Sequence, residues 1–115
     1  MNLLSWIRAK VIPPALVSVD GSGVNYKPFM GRSIIIRWAD LSEVSIETTD
    51  KGPYAEDFFA VLKAPGVTVR IPQEVQGFDA LLVRLQKLPR FNNEAVIEAM
   101  GSAQNATFPC WKKGA

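Results

Sequence analysis

The 115-residue chain contains no histidine. That absence removes the side chain most often used as a general base near neutral pH, the commonest zinc ligand, and the Ser-His and Cys-His nucleophile pairs. A single cysteine, Cys110, excludes an internal disulfide framework and leaves a cysteine metal cluster without its other ligands. A reducing compartment is the simpler expectation, and the protein is placed in the cytoplasm. Long apolar runs are missing as well. The stretch Leu3 to Ile7 has no positive charge before it, is interrupted by Arg8 and Lys10, and is too short for a signal-peptide core or a bilayer span. The sequon Asn105-Ala106-Thr107 reads as accidental in such a chain. No segment is repetitive, low in complexity or polar enough to stay unfolded.

What is present is enough apolar side chain for one core, with 48% hydrophobic and 21% charged residues, in a chain too short for two domains. Residues 2–10 read as a short helix with Leu3, Leu4, Trp6 and Ile7 clustered, stopped by Pro13 and Pro14. The chain therefore divides into an N-terminal arm, 1–14, and a single domain, 15–115. From Leu16 the period becomes that of strands. "ALVSVD" and "VNYKPF" flank an Asp-Gly turn, where glycine offers positive φ for a reversal. "RSIIIRW" and "EVSIETT" then alternate, with Val44, Ile46 and Thr48 on one side and Glu43, Ser45 and Glu47 on the other. "DFFAVLKA" and "VTVRIP" form a further hairpin around Pro65-Gly66.

The pattern switches to helical spacing at Phe78, Leu81, Leu82, Leu85 and Leu88, with Arg84 and Lys87 opposite and Pro89 as the stop. A second helix is predicted from Asn92 or Asn93 to Met100, with Val96, Ile97 and Met100 as its apolar stripe and Gly101 as its end. The tail "NATFPCWKK" suits a last edge strand, where Pro109 is tolerated. The expected architecture is α+β: an antiparallel meander sheet covered by one or two C-terminal helices.

The segments "IIIRWADLSEVSIETTDKGPYAEDFFAVL", "GFDALLVRLQKLPRFNNEAVIEAM" and "FPCW" together resemble a family of small bacterial proteins. The I-x-W-x-D-L step at 36–41 and the amphipathic helix behind the strands resemble bacterial pleckstrin-homology-like domains. This resemblance implies a pleckstrin-like barrel, partial here because six strands are legible where a complete barrel has seven. It also implies immunity proteins encoded beside toxins of polymorphic or type VI secretion systems. No catalytic motif comes with it.

Charge is segregated along the chain. Residues 40–57 carry six carboxylates and one lysine, a net of −5 in a protein of net +2. Glu43 and Glu47 share a strand face but lie about 13 Å apart, too far for a glycosidase pair. Asp50, Glu56 and Asp57 lie in or beside one loop, yet their spacing matches no calcium loop. No metal or cofactor is expected, and no enzymatic activity. A solvated loop would have much the same composition, but Tyr54 on a Gly-Pro turn among acids has the make-up of an interface anchor. The predicted partner-binding set is thus Glu43, Glu47, Asp50, Tyr54, Glu56 and Asp57, facing a cognate toxin protein. The rival assignment is a lipid-surface or peptide-binding pleckstrin-like module using Leu3, Leu4, Trp6, Ile7, Arg8 and Lys10. Trp111 with Lys112 and Lys113 offers too few cations for a nucleic-acid interface. A homodimer is left open.

Overall fold

The computed structural model describes residues 14–52 and 57–114. The arm helix expected over residues 2–10 lies outside the described residues. Within them the order is β1 (Leu16–Val19), β2 (Gly23–Lys27), β3 (Ile34–Arg37), β4 (Glu43–Thr48), β5 (Phe58–Ala64), β6 (Val67–Pro72), α1 (Phe78–Leu85), α2 (Asn93–Met100) and β7 (Ala106–Lys112). The fold is α+β with seven strands among the described residues, the six legible before the helices and the tail strand.

The strands do not form one meander. They make a three-stranded sheet, β1-β2-β3, and a four-stranded sheet, β6-β5-β4-β7, both antiparallel throughout. The break falls at the turn after β3. There the Asp40 and Leu41 amides bond back to the Arg37 carbonyl at 2.9 and 3.1 Å, one helical turn that redirects the chain. Leu41 is fully buried. The Ser42 amide then bonds the Lys63 carbonyl at 2.8 Å, so β4 starts beside β5 and leaves β3 behind.

One hydrophobic cluster joins both sheets and both helices. It takes Val17, Val24, Tyr26 and Ile36 from the first sheet, Val44, Ile46, Leu62, Val69 and Ile71 from the second, and Phe78, Leu81 and Leu85 from α1. The β4 alternation appears as expected, with Val44, Ile46 and Thr48 buried. Thr48 is the one buried polar residue among those described, and its hydroxyl donates to the Gln104 carbonyl at 2.8 Å.

Two local expectations are corrected. The β1–β2 reversal does not use a left-handed glycine. The Asp20 carboxylate instead accepts from the Ser22 amide at 2.8 Å, the Ser22 hydroxyl at 2.7 Å and the Gly23 amide at 3.1 Å, an Asx-type turn. Those bonds, the Ser22 hydroxyl first, hold the Asp20 carboxyl below its usual pKa. Helix α2 buries Ala95, Val96 and Ala99, while Ile97 and Met100 are exposed. Small residues let the α2 backbone come close to β7 and β4, the strands it packs on. The tail forms the last edge strand that the sequence suggests: β7 follows the helices and pairs with β4.

Asn92 caps α2, its side-chain oxygen accepting from the Ala95 amide at 3.3 Å. Asn92→Ala is expected to lower stability by about 1 kcal/mol, read as a reduced urea midpoint with an unchanged m-value. An unchanged midpoint would show the cap to be idle.

Candidate functional site

The pleat of the four-stranded sheet turns Glu43, Ser45 and Glu47 away from the main core. The register sets Glu43 between Lys63 of β5 and Lys112 of β7, Ser45 between Val61 and Pro109, and Glu47 between Phe59 and Thr107. β4 is therefore an interior strand. The predicted acids do not sit on a sheet edge.

They are not left unpaired either. Arg70 of β6 reaches across β5 to Glu47 at 3.1 Å, and its guanidinium lies 4.3 Å from the Phe59 ring centroid. Lys63 meets Glu43 at 3.7 Å. Val61, opposite Arg70 on this outer face, is buried although it belongs to no part of the main core. Half-exposed pairs of this kind add about 0–1 kcal/mol each to stability. Their larger consequence is electrostatic: the uniformly acidic strand of the sequence becomes a ladder of alternating sign. Sequence reading missed this because the pairing partners come from β5 and β6, whose order beside β4 is a tertiary fact.

The other acids lie beyond the end of β4. Asp50 is exposed, and its amide donates to the Asn105 side chain at 3.3 Å. Asp57 is half-buried with its carboxylate against Gly52, and its carbonyl accepts from the Thr49 amide at 3.0 Å. Glu43 and Glu47 thus share the outer face of β4, and Asp50 and Asp57 flank its end, Asp57 beside Thr49. Tyr54 and Glu56 lie outside the described residues, as do Leu3, Leu4, Trp6, Ile7, Arg8 and Lys10. Among the described residues, no three of His, Cys, Asp and Glu are grouped to hold a metal ion. No helix among them is long and apolar enough to cross a membrane.

A second feature of this face lies at the β4–β7 seam. The register slips between Val44, opposite Trp111, and Ser45, opposite Pro109. Cys110 is the unopposed residue of a β-bulge. It is 2% exposed, and burial pushes its thiol pKa up to about 11, so it stays protonated and unreactive at neutral pH. Its carbonyl accepts from the Asn92 amide at 2.8 Å, drawing the α1–α2 loop against the bulge.

That loop is a tight turn, closed by the Phe91 amide on the Leu88 carbonyl at 3.1 Å. Pro89 holds its second position and Arg90, with φ 62°, its third, the requirements of a type II turn. The Pro89 carbonyl accepts from the Trp111 indole at 2.9 Å. Arg90 is the one non-glycine residue with positive φ among those described, a conformation that costs about 1 kcal/mol for most side chains. Between this turn and the seam lies a cavity of about 460 Å³, lined in part by Ser45, Lys63, Arg90, Thr107, Trp111 and Lys112.

The chain matches no protein family, no curated protein and no solved structure. The cavity could not be found from the sequence, since it exists only where a bulge and a distant turn meet. The run "LPRF" signals a turn but not a left-handed arginine.

Proposed function

We propose that this protein is a non-catalytic binding protein: an immunity protein that blocks a cognate secreted toxin through the outer face of β4 and the loop beyond it. The observation that carries the reading is the placement of Glu43 and Glu47 on the outer face of an interior, hydrogen-bonded strand, with Asp50 and Asp57 beside its end. The chain's lack of histidine also supports a role in binding over one in turnover. The alternating ladder fixes what the partner must present. A complementary row of charges sets register, and Asp50 at its end, in no ion pair among the described residues, contributes the steering field.

The Arg70–Glu47 pair dictates the choice of variant. A lysine at position 47 would face Arg70 and disturb the fold, so the neutral Glu47→Gln is combined with Asp50→Lys. Association with the toxin encoded beside this gene is expected to slow about tenfold at low ionic strength. The difference should shrink as salt screens it, with the melting temperature nearly unchanged. Stopped-flow mixing at several salt concentrations measures this. Equal rates for variant and parent, or failure of the parent to protect cells expressing that toxin, would remove the proposal.

A further inference from the structure

The cavity at the β4–β7 bulge carries more positive charge than its surroundings neutralise. Lys63 is engaged with Glu43, which also lines the cavity and is drawn towards that lysine. The Arg90 and Lys112 side chains have no hydrogen-bond or ion-pair partner among the described residues. The hydroxyls of Ser45 and Thr107 line the same space and are likewise unengaged there. Two cations from different elements, Arg90 from the α1–α2 turn and Lys112 from β7, therefore border one opening whose lining also includes Ser45 and Thr107.

Arg90 adds an independent observation. Its left-handed backbone is the position in a type II turn that glycine fills without strain. The turn is pinned by the Trp111 indole on the Pro89 carbonyl and by the Asn92 amide on the Cys110 carbonyl. The strained residue is thus anchored from both sides, and its side chain borders the cavity. A conformation held against its cost at a cavity wall supports a role for that side chain.

The geometry points to a binding site for a phosphate monoester, held by the Arg90 guanidinium and the Lys112 ammonium, with Ser45 and Thr107 as hydroxyl donors. A guanidinium fork matches two phosphate oxygens, and an ammonium supplies a second, compact charge. The volume of about 460 Å³ falls within the range of small-ligand sites and exceeds what a lone phosphate fills. Trp111 and Pro109 give the rest of the ligand an apolar wall. The site adjoins the toxin-facing line and shares Glu43 and Ser45 of the β4 outer face with it, but its cations come from outside that line, so phosphate titration and toxin association can each fail alone.

The test uses the whole protein and two variants. Arg90→Gly suits the turn, so it should fold at least as stably as the parent. Lys112→Gln removes the second cation from an edge strand. Calorimetric titration with glycerol 3-phosphate, at ionic strength matched by chloride, is expected to show binding that weakens about tenfold or more in each variant. Vesicles of phosphatidylcholine with and without phosphatidic acid present the same monoester on a surface. Binding in solution identifies a free metabolite-sized ligand, and binding only to phosphatidic acid vesicles, lost in both variants, identifies a lipid headgroup. No binding in either arm, or equal binding by parent and Arg90→Gly, would overturn the inference.

Discussion

Gly77→Ala is expected to lose about 3 kcal/mol or more of folding stability, a fall in melting temperature on the order of 10 °C for a domain of this size. Gly77 precedes α1 with φ 94°, where an alanine is strained before any contact is counted. A methyl group there would also run into the Val17 carbonyl oxygen. That contact cannot relax freely, because the Val17 amide bonds the Gln76 carbonyl at 2.9 Å and Leu16 bridges Gln76 in parallel. The bond joins the three-stranded sheet to the start of α1, so the substitution strains a junction between layers. Thermal and urea unfolding followed by circular dichroism measure the loss. A change below about 1 kcal/mol would mean that the junction yields without cost.

Leu62→Ala should be comparably damaging, at about 2–5 kcal/mol. Leu62 is fully buried in β5, opposite Val44 on one side and Val69 on the other. A cavity there is enclosed by the middle of the sheet and by the helices, which limits collapse around it. Its neighbour Val61 is nearly as inaccessible but faces outward beneath Arg70. Val61→Ala is expected to cost less, because the long side chains above it can settle into the gap. Equal losses from the two substitutions would show that the outer face is as rigid as the core.

Local pattern was legible wherever one side chain decided it. The alternation of Val44, Ile46 and Thr48 gave β4, the spacing of Phe78, Leu81 and Leu85 gave α1, and Asn92 and Gly101 bounded α2 as capping chemistry requires. The misreadings arose where contact decided. In α2 the bulky Ile97 and Met100 drew the apolar stripe to the wrong face, since Ala95 and Ala99 carry little hydrophobic signal yet allow close approach to β7. The division into two sheets depends on Leu41, whose burial at the bend is a property of the assembled core. At the site, the order of acids along β4 was readable, but their neutralisation by Lys63 and Arg70 was not. It needs the strand order β6-β5-β4, which periodicity does not contain.

The placement of β7 bears on how the molecule is made. During synthesis β4 can zip to β5 as soon as that hairpin emerges, but its other flank stays open until both helices have been translated. Through that interval the nascent chain presents a ladder of unmatched amides and carbonyls that a neighbouring chain could capture. Closing it is the pairing most distant in sequence among the described strands, and expression yield should follow how quickly that final strand arrives.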